Sequence, residues 1–163
     1  MLRDKNLIPL SRQHQHALAL CVWIERASPI PERDLARWQM EIAQHFRAEI
    51  RVHFKAEEQF VFPSACQFKE LNLLVEELLS EHAWLRERFA KAEGQQLSNG
   101  DITEFAHRLS EHIRKEERHL FERLQQFLSP EKFASMGQEL EDALREGEQI
   151  CLLPAESERK RDA

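Results

Sequence analysis

Two stretches of this chain share one pattern: residues 53–63 read HFKAEEQFVFP, and residues 112–122 read HIRKEERHLFE. Each places a histidine four residues before the first of two adjacent glutamates, with a hydrophobic run following. On a helix, positions i and i+4 lie one turn apart on the same face. His53 with Glu57, and His112 with Glu116, therefore each present an imidazole beside a carboxylate. Those ligand types suit a pair of non-haem transition-metal ions. Two copies in one chain predict a helical site of approximate two-fold symmetry.

The rest of the chain agrees with helix. Glycine occurs only four times, and charged residues make up 32%. Glu, Leu, Arg, Ala and Gln dominate, all of them helix formers. Five helical segments are predicted. The first spans about residues 11–27, capped by Ser11 and ended at Ser28-Pro29. The second spans about 32–62 and is stopped by Pro63. The third spans about 69–93, ending in the turn from Gly94 to Gly100. The fourth spans about 101–128 with Asp101 as cap. A fifth, shorter helix opens at Ser129-Pro130 and runs to about Gln149. The expected architecture is all-α: an antiparallel up-down-up-down four-helix bundle with a short fifth C-terminal helix. Residues 1–153 form one domain, and residues 154–163 a disordered tail.

Each long helix carries an apolar stripe interrupted by histidine. The third has Leu71, Val75, Leu78, His82, Leu85, Phe89 and Ala92; the first has Leu7, Leu10, His14, Ala17, Cys21 and Ile24. The second has Phe46, Ile50, His53, Glu57 and Phe60, and the fourth Phe105, Leu109, His112 and Glu116, continued by Leu120 and Leu124. Four histidines and two glutamates thus point into one core. Unpartnered, such groups are costly to bury, and two divalent cations would compensate them.

A histidine–glutamate pair at this spacing is weak evidence alone. With glutamate at roughly one residue in seven, eight histidines yield about one such pair by chance. The sequence holds four, counting His45/Glu49 and His107/Glu111. At 100° per residue, His45 lies about 80° from His53, and His107 about 140° from His112. Those two pairs are expected on flanks or surface. Glu49 sits close enough to the stripe to be a hydrogen-bond partner of a ligand.

The candidate metal ligands are His14, His53, Glu57, His82, His112 and Glu116. His14 and His53 would share one ion, His82 and His112 the other, with both glutamates bridging. Open positions would admit water, an oxo or hydroxo bridge, or a diatomic gas. His16 is the rival to His14 and faces inward only if the first helix is rotated. His119 is expected to line the pocket, Cys21 to pack, and Glu58 and Glu117 to support ligands or lie on the surface.

The order of motifs, SRQHQHAL around His14, HFKAEEQFVFP at His53, SEHAWL around His82 and HIRKEERHLF at His112, resembles the hemerythrin-like family, the HHE cation-binding bundle. The resemblance covers roughly residues 10–128. It implies a non-haem centre of two iron ions, oxo- or hydroxo-bridged, able to bind dioxygen or nitric oxide. Histidine and carboxylate ligands also suit manganese or zinc. Oxygen-carrying hemerythrins add a third-helix histidine one turn before the one matching His82, where this chain has Leu78. They also place an aspartate five residues after the fourth-helix histidine; here that position is Glu117, and the matching carboxylate is Glu116.

Three functions follow as expectations. The first is a di-iron protein binding or sensing a small gas. The second is a di-iron enzyme or iron donor in nitric-oxide or peroxide stress and iron–sulfur repair, served by a redox partner. The third is a helical interaction module with a structural metal site, using the face around Phe133, Leu140 and Leu144; a fifth helix must bury its apolar face somewhere, however, so these residues are expected to cap the bundle instead. The net charge of −6 and the lack of an internal basic tract argue against nucleic acid. No apolar run approaches a membrane span, and a charged start disfavours a signal peptide, so a cytoplasmic location is expected. Cys21, Cys66 and Cys151 lack metal or disulfide spacing and read as reduced thiols. Tyrosine is absent, which rules out tyrosyl chemistry.

Overall fold

A computed structural model describes residues 2–152, and among them there are helices and no strand. Helix α1 is Ile8–Ala27. Helix α2 is a rod over residues 35–65, entered through a tight turn at Glu32–Asp34. Helix α3 is Asn72–Glu93. Helix α4 covers residues 99–127, and α5 is Pro130–Leu152. The expected tail at 154–163 lies outside the described residues. No described helix is long and apolar enough to cross a membrane.

Two rods are not uniform α-helix. In α2 the turns Phe46–Ile50 and Glu57–Val61, and in α4 the turn Glu116–Leu120, widen to π geometry. There the Arg51 N–H donates to Phe46 O, Phe62 N–H to Glu57 O, and Phe121 N–H to Glu116 O, each an i→i−5 bond. Such widened turns occur mostly at functional sites. Here two of the three begin on the inward glutamates. Each adds one residue to the rod, so the apolar stripe beyond it shifts phase. Val61 and Leu120 take the buried positions, Phe60 is left half-buried, and His119 is exposed. The expectation that His119 lines the pocket is therefore wrong.

Other boundaries differ for local reasons. Helix α1 starts at Ile8, with Pro9 in its first turn, so Ser11 lies inside the helix and caps nothing. Helix α2 runs through Pro63 to Ala65, because Pro63 falls in the first turn after a widened segment. The cap of α4 is Ser98, with Asp101 as its reciprocal partner in a capping box. Gly100 thus belongs to the helix, and the left-handed turn residue is Gln95 (φ 56°). Helix α5 spans 23 residues, longer than the 20 of α1, and so is not short.

Packing divides the interior into two apolar blocks. One holds Leu7, Leu10, Val61, Phe62, Leu78, Leu120 and Phe121 and is closed by Phe133, Met136, Leu140 and Leu144 of α5. The other holds Ala17, Cys21, Ile24, Ile42, Phe54, Leu85, Phe89, Phe105 and Leu109. Helix α5 lies along the middle of α2. Its apolar face is buried, so Phe133, Leu140 and Leu144 close off the core, as a capping helix requires, and present no docking face. Both predicted stripes of α1 and α3 are buried along their whole length. The histidines stand where one apolar block gives way to the other: His14 between Leu10 and Ala17, His82 between Leu78 and Leu85.

Candidate metal centre

The six predicted residues meet in this intervening layer. His14, His53, Glu57, His82, His112 and Glu116 are each exposed by 3% or less. Helices α1 and α3 supply one histidine each, and α2 and α4 supply one histidine–glutamate pair each. The imidazoles approach as two pairs. His14 Nε2 lies 2.9 Å from His53 Nε2, and His82 Nε2 lies 3.1 Å from His112 Nε2.

The two carboxylates span these pairs. Glu57 Oε1 lies 3.2 Å from His53 Nε2 and 3.8 Å from His14 Nε2, while its Oε2 lies 3.4 Å from His82 Nε2. Glu116 Oε2 lies 3.1 Å from His14 Nε2, while its Oε1 lies 3.3 Å from His112 Nε2 and 3.8 Å from His82 Nε2. None of these four oxygens makes a hydrogen bond.

The opposite ring nitrogens are all held from outside. His14 Nδ1 meets Glu117 Oε1 at 2.7 Å, His53 Nδ1 meets Gln13 Oε1 at 2.8 Å, His82 Nδ1 meets Glu58 Oε1 at 2.8 Å, and His112 Nδ1 meets Glu81 Oε2 at 2.7 Å. An ionised carboxylate only accepts, so each glutamate fixes its histidine as an Nδ1–H donor and turns Nε2 toward the cluster, where the neutral ring offers its lone pair. The support passes once round the bundle: α1 holds the histidine of α2, α2 that of α3, α3 that of α4, and α4 that of α1. Three of the four supports are themselves paired with cations, Glu58 with Arg86 at 2.7 Å, Glu117 with Arg3 at 2.5 Å, and Glu81 with Lys115.

Electrostatics follow from this geometry. Burial presses the His14 and His82 imidazoles toward the neutral form, yet the carboxylates win and hold them up at about 10 and about 11. His112 is shifted upward as well, against burial, by Glu116 and Glu81. Burial and the charge of Glu116 push Glu57 up, but the imidazoles around it, His53 foremost, bring it down to about 2. Glu116 is likewise driven well below the ordinary range. Its bond to His82, joined by Arg86, takes Glu58 to about 2.

This donor set fits cations. Two imidazole nitrogens facing each other across about 3 Å need a positive centre between them, a shared proton in the metal-free chain or a metal ion in its place. His14, His53, Glu57 and Glu116 offer atoms that all lie within 4.8 Å of one another, and so do His82, His112 and Glu116. Both groups could hold a metal ion.

A family model, the hemerythrin HHE cation-binding domain, matches residues 9–124. The chain belongs to the hemerythrin HHE cation-binding family. Comparisons with curated proteins and with solved structures found no significant match.

Within this hemerythrin-family chain, the sequence expectations fare unevenly outside the six. His16 is exposed and pairs with Glu49 at 2.9 Å, so α1 turns His14 inward and not its rival. Glu49 therefore supports no residue of the cluster. His45 does not bridge to Glu49; its Nε2 is buried without a hydrogen bond, and burial lowers its proton affinity. The surface reading holds for His107 and Glu111, 4.0 Å apart. Cys21 packs in the core, where burial pushes its thiol up to about 12. Leu78 is fully buried in the apolar block. Gln13 and Glu81 were not anticipated as supports. Each immediately precedes an inward histidine, just as Glu58 and Glu117 immediately follow an inward glutamate, and that adjacency is the signal in the sequence.

Proposed function

We propose that this protein is a dinuclear non-haem iron protein that binds or senses dioxygen or nitric oxide. His14 and His53 hold one ion, His82 and His112 the other, and Glu57 and Glu116 span both. Iron comes from the family, since histidine and carboxylate donors alone suit several divalent metals. The observation that carries the reading is the pair of close Nε2–Nε2 approaches, with every Nδ1 committed outward.

The bound metals supply redox chemistry and affinity for a diatomic ligand. The chain's own residues position and shield. Four hydrogen bonds lock the imidazole planes, Phe54 stacks on His82 at 3.8 Å between centroids, and Phe121 stacks on His14 at 5.6 Å. The apolar blocks on either side exclude water, and burial of all six residues restricts the ligand to small size. The antiparallel up-down-up-down order is the arrangement that the short connections favour.

Iron-replete expression followed by elemental analysis and absorption spectra tests this. Two irons per chain, near-ultraviolet charge-transfer absorption in the oxidised protein, and a spectral change on adding nitric oxide to the reduced protein are expected. One metal or none per chain would refute the dinuclear reading. Multiple turnovers of nitric oxide or peroxide by the reduced protein would move the function from binding to catalysis.

A further inference from the structure

The four supports outside the cluster are not equivalent. Glu58, Glu81 and Glu117 are carboxylates, and the fourth position of the same ring is filled by the neutral Gln13. Under the two-fold relation of the site, Gln13 on α1 corresponds to Glu81 on α3, for each precedes an inward histidine and serves the histidine of the next helix. The symmetry of the six inner residues is therefore broken one bond further out.

Two consequences point the same way. A carboxylate on Nδ1 orients an imidazole and strengthens it as a donor to a metal ion. Both histidines of the His82/His112 pair have this support, and only one of the His14/His53 pair does. Second, a carboxylate can only accept, whereas a carboxamide turned by half a revolution donates instead. As a neutral ring, His53 is thus the one imidazole of the four able to move its hydrogen from Nδ1 to Nε2, facing His14 2.9 Å away, and so remove its lone pair from the site. His82 and His112 have no such alternative.

Resting on the dinuclear reading, we propose that the two positions fill in a fixed order, His82/His112 first and His14/His53 second, and that Gln13 is the positioning residue that sets this order. The inner donors alone do not produce this order, since four gather at His14/His53 and three at His82/His112; both bridging carboxylates nonetheless reach both pairs, Glu57 contacting His53 at 3.2 Å and His82 at 3.4 Å, and Glu116 contacting His14 at 3.1 Å and His112 at 3.3 Å, so the outer supports are what set it. The chain is built to pass through a defined one-metal state.

Anaerobic Co2+ titration of the metal-free protein tests the order. His53→Ala leaves the His82/His112 position intact, and His112→Ala leaves the other. His53→Ala is expected to bind its one ion about tenfold more tightly than His112→Ala. Adding Gln13→Glu to His112→Ala should recover most of that factor, and adding it to His53→Ala should change nothing. Equal or reversed affinities, or no effect of Gln13→Glu in the His112→Ala background, would overturn the proposal. Should an alanine variant fail to fold, the intact chain answers through paramagnetically shifted imidazole N–H resonances. At one equivalent of Co2+ the unaltered protein should give two such signals and Gln13→Glu four. Four in the unaltered protein, or two in Gln13→Glu, would overturn the ordering while leaving a two-metal site standing. Saturation of the unaltered protein at one equivalent or less would instead overturn the dinuclear reading, and the ordering with it.

Discussion

Filling the cluster with metal should expel protons, and the structure says how many and with what pH dependence. In the metal-free protein the carboxylates hold His14 at about 10 and His82 at about 11. One of these two sits in each close Nε2 pair, and in the second pair the charge on His82 opposes a further proton on His112 across 3.1 Å. At pH 7 His14 and His82 therefore carry a proton on the nitrogen that must donate to metal. Removing that proton at pH 7 costs on the order of several kcal/mol at either position, at about 1.36 kcal/mol per pH unit. Metal binding must supply this, so each ion displaces about one proton, and the two-metal affinity should rise by about two logarithmic units per pH unit between pH 7 and 9. Calorimetric titration with Co2+ or Zn2+ in buffers of differing ionisation enthalpy counts the released protons directly. Release of about two protons per chain is expected. No release, or affinity that falls as pH rises, would refute the picture of a cluster that exchanges protons for metal.

The same shifts set the stability of the metal-free chain. The raised His14 and His82 contribute fully below about 6.5 and lose that contribution as pH climbs through about 10 and about 11, whereas the lowered Glu57 contributes above about 4.5 and loses it as pH falls through about 2. Thermal melts of chelator-treated protein should show the cluster's full contribution between those lower limits, about pH 4.5 to 6.5. At metal concentrations 100-fold above the dissociation constant, loading one position should add about 2.7 kcal/mol, raising the melting temperature by several degrees, and a chelator should reverse it. Ser98→Ala removes the side-chain half of the α4 capping box, the bond Ser98 Oγ accepts from Asp101 N–H, and should cost about 1 kcal/mol by urea denaturation, with metal stoichiometry unchanged. Gly147→Ala would drive a methyl group into the stiff Val52 side chain where α5 crosses α2. A loss of about 1–3 kcal/mol is expected, again by urea denaturation.

What the sequence revealed and what it hid have separate physical causes. The inward six were legible because helical phase is a local property. Leu10, His14 and Ala17 stand on one stripe whatever the neighbouring helices do, and so do Leu78, His82 and Leu85. His119 and Phe60 were misplaced because the count ran across a widened turn. One extra residue there rotates everything after it, and nothing in the composition of either turn announces the insertion. Gln13 and Glu81 were hidden for a different reason. Each supports a histidine on another helix, 40 and 31 residues away, so its role depends on which helices are neighbours and in what rotation. That dependence can be turned round. The supports run from 13 to 53, 58 to 82, 81 to 112 and 117 to 14, and such a ring closes only if consecutive helices are adjacent and the fourth returns to the first. Residues flanking the inward histidines and glutamates thus carry information about helix order that the apolar stripes lack. A chain whose outer acceptors were scrambled among the four helices could keep every stripe and every inward ligand. It would still lose the lock on the imidazoles, and with it the lone pairs that a metal ion requires.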